Sequence, residues 1–131
     1  MGVDYSPRAI RIAKSKLRHA GIRAPLLVSD LRFPTDLHGR HDLALDIGCF
    51  HSMRVRDGYL SNLSAALKTG GHWLLYAFVR AGVGRPVPGL NAEDLDLIAS
   101  CGFRLLDRTD GLDRPGRPSA WFLFEKLSRE A

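Results

Sequence analysis

Three aspartates and one histidine stand where predicted strands end. Asp4 and Asp30 close short apolar runs, and Asp46 lies in a third run that glycine breaks at Gly48. A carboxylate only accepts hydrogen bonds, so these positions suit recognition of hydroxyl and amino groups. His51 follows, and an imidazole with an ordinary pKa of about 6.5 takes a proton near neutral pH. A loop histidine with no catalytic task explains His51 at least as well.

The elements that must position these residues alternate between strand and helix. The pattern predicts strands at Gly2–Tyr5, Pro25–Asp30, Asp42–Gly48, His72–Val79, Phe103–Asp107 and Ser119–Lys126. It predicts helices at Pro7–Ala20, Arg56–Lys68 and Asn91–Ser100, with Ser6 and Asn91 as N-caps. Glycine and proline predict turns at Gly70–Gly71 and Gly111–Pro118, and a loop at Arg80–Gly89 that could act as a lid.

This alternation predicts an α/β fold with one open, mostly parallel sheet and an antiparallel edge made by the last two strands. In such a sheet, ligands bind in the crevice outside the carboxyl ends of the strands. The three aspartates are therefore expected to face that crevice.

Composition limits the classes of protein that fit. The chain has 131 residues, of which 45% are hydrophobic and 25% charged, as expected for one soluble globular domain. The longest apolar runs are far shorter than the roughly 20 residues of a membrane helix, and no signal-peptide pattern opens the chain. Cys49 and Cys101 form no metal-binding or disulfide pattern. A reducing cytoplasm, no metal and no membrane are predicted.

Positive charge is concentrated in the first helix. Six basic residues face a single acid, Asp4, in the first 23 positions, namely Arg8, Arg11, Lys14, Lys16, Arg18 and Arg23. Apolar residues such as Ile10 and Leu17 recur on the opposite side of the same helix, which favours a solvated outer face. Nucleic-acid binding ranks last because aromatic stacking motifs and a second basic cluster are missing.

Several segments together resemble the class I S-adenosylmethionine-dependent methyltransferases. These segments are Gly2–Pro7, Leu27–Asp30, Asp42–Met53, Leu67–Gly71 and Trp121–Glu125. The resemblance covers nearly the whole chain as a single partial domain over residues 1–131. It is closest to small-molecule members, through the segment Asp46-Ile47-Gly48-Cys49-Phe50-His51. It implies a Rossmann-like fold, S-adenosyl-L-methionine as cofactor and a small-molecule methyl acceptor.

The resemblance also assigns cofactor contacts. It places Asp4, beside Tyr5, at both ribose hydroxyls, although Asp4 could instead cap the following helix. It places Asp30 at the adenine amino group, with Leu31 giving a neighbouring amide and an apolar contact. Asp30 could equally be an ordinary exposed aspartate. Asp46 is placed near the methionine part, although it could simply bond loop amides.

The methyl acceptor is expected to approach just after the fourth family strand. His51 and Phe50 lie there. Tyr76 and Phe78 share one face of the following predicted strand and are expected to line an apolar acceptor pocket, although core packing is the commoner fate of such aromatics. Methyl transfer needs alignment and dryness more than strong acids or bases, so few catalytic side chains are expected.

One departure from the family pattern changes the expectation. The first family strand and its glycine-rich turn have no counterpart, so the chain resembles an N-terminally truncated domain with impaired cofactor binding. The neighbours of that strand, Gly2–Tyr5 and Asp42–Gly48, would be left with unpaired edges. They could pair with each other, or another copy or a companion chain could fill the gap, and we expect self-association. A non-catalytic binding or interaction domain derived from a methyltransferase is the alternative function.

Overall fold

The computed structural model describes residues 1–37, 39–84, 87–114 and 116–128. Its strands are β1 (Gly2–Asp4), β2 (Leu26–Val28), β3 (His41–Ile47), β4 (Leu67–Phe78), β5 (Phe103–Asp113) and β6 (Arg117–Lys126). Its helices are α1 (Pro7–His19), α2 (Asp57–Ala66) and α3 (Ala92–Ser100), with a 3-10 turn at Phe50–Ser52. The predicted α/β class and the order of its elements are confirmed.

The strands form two sheets rather than the one that was predicted. β1 and β2 pair in parallel, while the other four follow the order β3-β4-β6-β5. The pair β3 and β4 is parallel, and β6 runs antiparallel to both β4 and β5, as predicted for the last two strands. Since β1 and β3 do not pair, the described strands leave the sheet divided where a first family strand would lie.

The helix ends follow the chemistry of their capping residues. The Ser6 hydroxyl accepts a hydrogen bond from the Ala9 N–H at 3.2 Å, and Pro7 occupies the first turn of α1. At α3, the Asn91 side chain accepts from the Asp94 N–H, and the Asp94 carboxylate accepts from the Asn91 N–H. The Ser6 cap with Pro7 and the Asn91 capping box explain the two starts, both of which are confirmed.

Two predicted turns are corrected by strand pairing. α2 ends at Ala66, and β4 begins at once, so Gly70 and Gly71 lie within β4 rather than in a turn. Gly70 has φ +80°, and the register between β3 and β4 is interrupted opposite this stretch. The turn predicted at Gly111–Pro118 is also shorter, because β5 and β6 pair as far as Asp113 opposite Arg117. Pro115 lies outside the described residues.

The core lies on one face of the four-stranded sheet. Trp73 on β4 has no exposed surface, and its ring centroid is 5.2 Å from that of Phe50 and 5.1 Å from that of Phe124. Leu60 of α2 and Ile98 of α3 belong to the same cluster. Aromatic rings of this size dominate the burial of apolar surface, so this face holds the four-stranded sheet and two helices together.

Candidate functional site

A cleft separates β1 from β3. It has a volume of about 540 Å³. The residues that line it are Met1, Gly2, Val3, Asp4, Leu31, Leu37, His41, Leu43, Ala44, Leu45, Asp46, Ile47, Cys49, Tyr59, Asn62, Leu63, Ala66 and Leu67. Asp4, Asp46 and Cys49 mark the end at which β1 and β3 finish, which we call the carboxyl rim. The predicted crevice therefore lies at the division between the two sheets.

The two oxygens of the Asp4 carboxylate have different surroundings. Oδ1 accepts a hydrogen bond from the Ser6 N–H at 2.8 Å, so the residue does support the start of α1. Among the described residues, Oδ2 has no hydrogen-bond partner, and the side chain is exposed. The capping role and a ligand-binding role are therefore compatible. The neighbouring Tyr5 is 77% exposed and does not line the cleft.

The Asp30 carboxylate is hydrogen-bonded to Arg32, two residues further along the chain. Its carboxylate accepts hydrogen bonds from the Arg32 side chain, at 3.0 Å from Nε and 2.6 Å from Nη2, and from the Arg32 backbone N–H at 3.0 Å. These bonds lower the pKa of Asp30. A ligand that reaches Asp30 must displace Arg32, and the pair is exposed to water, where ion pairs are weak. Leu31 lines the cleft beside it.

Asp46 is buried and fully engaged by protein donors. Oδ1 accepts from the Cys49 N–H at 2.9 Å, and Oδ2 accepts from the Phe50 N–H at 3.0 Å and from the Tyr59 hydroxyl. Burial, followed by the Asp46 charge, raises the pKa of Tyr59, so the phenol keeps its proton. The structure thus gives Asp46 the loop-bonding role, because no oxygen is left without a donor.

Cys49 lies on the carboxyl rim, and the sequence did not single it out as a site residue. Atoms packed around the thiol raise its pKa to about 12, and the charges of Asp46, Asp4 and Asp30 add to the shift. Asp4, Asp46 and Cys49 line the same cleft, and Asp30 precedes Leu31, which also lines it. The thiolate is the reactive form of cysteine, so Cys49 is a neutral, inert part of the rim.

His51 is positioned in a way that argues against a general base. Its Nδ1 accepts a hydrogen bond from the Phe78 N–H at 2.9 Å, which assigns the proton to Nε2. The side chain is buried, and burial lowers its pKa. A second proton would enter at Nδ1, opposite another N–H. In this arrangement, the imidazole is a neutral donor through Nε2, which corrects the proton-accepting role expected at neutral pH.

The structure places the aromatic residues predicted to line the acceptor pocket in different surroundings. Phe50 has no exposed surface and packs in the core against Tyr59 and Trp73, so it cannot touch a substrate here. Phe78 lies half-buried beside His51, with ring centroids 4.7 Å apart. Tyr76 lies half-buried against Trp121, with centroids 5.1 Å apart. Tyr76 and Phe78 are on the sheet face opposite the core cluster, where the Arg117 guanidinium lies 4.1 Å from the Phe78 ring centroid, and neither residue lines the cleft.

A buried arginine that sequence reasoning missed connects His51 to the predicted lid. The Arg56 guanidinium has no exposed surface and forms an ion pair with Asp94. Its Nη2 donates to the backbone carbonyls of His51 at 3.2 Å and Gly89 at 2.9 Å. One end of the predicted lid is therefore anchored. Residues 85 and 86 of that segment lie outside the described residues.

Among the described residues, no group of three or more potential metal ligands is present. No described helix is long and apolar enough to span a membrane.

Comparison with known proteins identifies the fold. No protein-family model matches the chain, and no curated protein matches its sequence. A solved S-adenosylmethionine-dependent methyltransferase from Clostridium acetobutylicum ATCC 824 superposes with a TM-score of 0.75 at 15% identity, covering 96% of this chain and 74% of that chain.

Two other solved structures extend the comparison. The Burkholderia thailandensis 1,6-didemethyltoxoflavin-N1-methyltransferase, with S-adenosylhomocysteine bound, gives a TM-score of 0.75 at 22% identity, over 96% of this chain and 60% of that chain. The [4+2]-cyclase SpnF gives 0.80 at 18% identity, over 98% and 66%. The chain therefore has the Rossmann-like fold of S-adenosylmethionine-dependent methyltransferases.

Proposed function

We propose that this chain is a methyltransferase that uses S-adenosyl-L-methionine to methylate a small molecule. The observation that carries the proposal is the cleft at the carboxyl rim, which Asp4 and Asp46 line near the ends of β1 and β3. β1 and β3 end at this rim, at the position where ligands bind in α/β sheets. The cleft volume of about 540 Å³ lies within the usual range for small-molecule sites.

The residues present fit the nucleoside half of this cofactor. Among the described residues, one Asp4 carboxylate oxygen has no donor and can accept from ribose hydroxyls. Asp30 is assigned to the adenine amino group once Arg32 moves aside, and Leu31 to an apolar contact with the base. Asp46 stabilises the rim through the Cys49 and Phe50 amides. The methionine half depends on groups that the described rim does not supply.

The cofactor supplies a methyl group on a positively charged sulfur. With the cofactor bound, the acceptor atom would take this methyl group and would release its own proton to water. The chain contributes position and exclusion of water rather than acid–base chemistry. His51 can donate through Nε2, and Tyr76 and Phe78 offer an apolar surface. These roles match a neutral, buried imidazole and half-buried rings.

The contacts to the cofactor limit the expected rate of methyl transfer. Because the methionine half is weakly held, the 131-residue chain is expected to transfer methyl groups slowly. A misplacement near 1 Å costs about a hundredfold in rate.

The free thiols of Cys49 and Cys101 fit a reducing compartment, and we assign the chain to the cytoplasm.

A non-catalytic binding domain is the second candidate. It is favoured by the engagement of Asp30 with Arg32 and of Asp46 with Tyr59, which leaves few groups free for ligand. The solved proteins of this fold include a [4+2]-cyclase, so the fold alone does not fix the reaction.

Calorimetric titration with S-adenosylmethionine and S-adenosylhomocysteine tests the proposal. We expect both to bind, and Asp4→Ala to weaken binding at least tenfold, since a charge-assisted hydrogen bond contributes about 1.5 to 3 kcal/mol. Asp107→Ala, on exposed β5, is the matched control and should leave affinity unchanged. Equal affinity of the Asp4 variant and the wild type would refute the assignment. Binding without any methyl transfer to an acceptor panel would favour the second candidate.

A further inference from the structure

The buried imidazole of His51 has one donor that the fold does not use. Its Nδ1 accepts from the Phe78 N–H at 2.9 Å, so the ring proton is on Nε2. His51 is only 6% exposed, and among the described residues Nε2 has no hydrogen-bond partner, although this atom keeps contact with solvent. Buried side-chain donors usually have a protein partner. The N–H at the open end of this ring is therefore free for an acceptor on a ligand.

This free N–H lies beside the carboxyl rim. Gly48 follows β3 directly, and a Cβ at this glycine would lie 3.6 Å from His51 Nε2. The residues on either side of it, Ile47 and Cys49, line the cleft. A group bound at Nε2 would thus be next to the place assigned to the cofactor, where a methyl acceptor has to approach.

A cation lies close to the same imidazole. The Arg117 Cζ is 4.1 Å from the Phe78 ring centroid, and the His51 ring centroid is 4.7 Å from that ring. The guanidinium and the imidazole are therefore no further apart than these two distances taken together. A carboxylate that accepts from one donor on each side, at about 2.8 Å, bridges a gap of this size.

The Arg117 guanidinium has donors to spare. Its Nη2 donates to the Arg114 carbonyl at 3.1 Å. The carboxylate of Asp113 is 3.9 Å away, which is beyond hydrogen-bond distance. Because the Arg117 side chain is 49% exposed, its remaining N–H groups are open to a ligand.

Positive charge predominates around the His51 ring. Burial is the main cause of its lowered pKa, and the Asp46 charge opposes it. Three arginine charges lower this pKa further, those of Arg56, Arg117 and Arg80. The ring itself stays neutral, so an anion at Nε2 would be attracted by these cations without competing with a second proton on the imidazole.

We propose that His51 Nε2 and the Arg117 guanidinium together bind a carboxylate of the methyl acceptor, and that the acceptor is a small aromatic acid. Tyr76 and Trp121 lie on the same sheet face as Phe78, with ring centroids 5.1 Å apart, and Trp121 is 38% exposed. They offer a surface on which an aromatic ring can stack. The role of this site in methyl transfer rests on the proposed function, whereas its preference for a carboxylate does not.

Titration with a matched acid and amide tests the charge preference. The probes are para-hydroxybenzoate and para-hydroxybenzamide, which share one ring and differ in charge. Each is titrated into the 131-residue chain without cofactor, and amide NMR follows Phe78, whose N–H bonds to His51. We expect saturable shifts with the acid and about tenfold weaker binding of the amide, because charge-assisted hydrogen bonds are about twice as strong as neutral ones.

A matched pair of arginine variants locates the site. Arg117→Gln removes the charge beside Phe78, and Arg108→Gln removes the charge of a guanidinium that lies 5.1 Å from the Phe122 ring. Arg117→Gln should weaken binding of para-hydroxybenzoate about tenfold and leave binding of the amide unchanged. Arg108→Gln should change neither, and circular dichroism checks that both variants fold.

The possible outcomes separate this inference from the proposed function. No binding of the acid, equal binding of acid and amide, or undiminished acid binding by the Arg117 variant would overturn the inference. Titration of the same chain with S-adenosylhomocysteine reports on the cofactor site independently. If S-adenosylhomocysteine binds and the acid does not, only the acceptor assignment fails. If the acid binds at Phe78 and S-adenosylhomocysteine does not bind, the carboxylate site stands and the role in methyl transfer fails.

Discussion

The two halves of the molecule differ in how many apolar side chains they bury. The half around β4 and β6 has a continuous aromatic core, with Trp73 and Phe122 essentially without exposed surface. The half around β1 and β2 has two short strands and one helix, α1, in which Ile10 is the buried residue. The carboxyl rim takes Asp46 from the first half and Asp4 from the second. A candidate binding site therefore spans a firmly packed half and a lightly packed one.

This difference has a dynamic consequence. Regions with few buried apolar contacts open locally at a lower free energy than well-packed cores. Asp4 and Asp30 belong to the lightly packed half, so their distance from Asp46 is expected to vary with the opening of that half. A ligand bridging both halves would reduce this motion.

The largest expected effect comes from breaking the well-packed half. Trp73→Ala removes a fully buried ring that packs against Phe50 and Phe124. We expect the free energy of unfolding to fall by about 3 to 5 kcal/mol, as for other large-to-small core changes. Urea denaturation followed by fluorescence of the remaining Trp121 measures it. A loss below about 1 kcal/mol would show that this core is not what holds the four-stranded sheet.

A smaller effect is expected in the lightly packed half. Ser6→Ala removes the hydroxyl that accepts from the Ala9 N–H at the start of α1. Loss of such a cap costs about 1 kcal/mol. Hydrogen exchange should speed up in α1 and β1 while β4 stays protected. Equal acceleration in β4 would contradict the division into two halves. Ser100→Ala, at the exposed end of α3, is the control for loss of a serine hydroxyl.

The smallest expected effect is a loss of folding stability that is confined to acidic pH. The pKa of His51 is lowered by burial relative to an unfolded value of about 6.5. The unfolded chain therefore binds the proton more readily, so stability is full above about pH 6.5 and falls as pH decreases toward the folded pKa. His51→Asn can keep an acceptor for the Phe78 N–H, and its stability should fall less steeply between pH 7 and 5. Denaturation midpoints at each pH measure this, and identical slopes would contradict it.

Local signals in the sequence predicted most of the fold. Ser6 and Asn91 marked helix starts because their side chains satisfy the first free amides, which is a local property. The pairing partner of Gly70 and Gly71 is distant in sequence, and so the bulged start of β4 was read as a turn. The resemblance predicted unpaired edges at Gly2–Tyr5 and Asp42–Gly48, but not the division of the strands into two sheets.

The candidate site was predicted less completely than the fold. The sequence placed Asp4, Asp30 and Asp46 at strand ends, and the structure places Asp4 and Asp46 on one cleft, with Asp30 beside its lining residue Leu31. It could not show that Arg32 covers Asp30 or that Tyr59 binds Asp46, because these partners are chosen by side-chain geometry. Phe50 looked like a pocket residue, yet the 3-10 turn directs it into the core.

Amide NMR during titration with S-adenosylhomocysteine tests the central claim most directly, because it shows where the ligand binds. The account predicts saturable shifts clustered at the carboxyl rim, at Asp4, Leu31 and Cys49, with small changes elsewhere. A second cavity of about 740 Å³ beside α1, lined by Lys14, Arg18 and Arg23, provides the internal comparison. Shifts confined to that basic cavity, or no saturable shifts at all, would contradict the claim that the carboxyl rim binds the nucleoside.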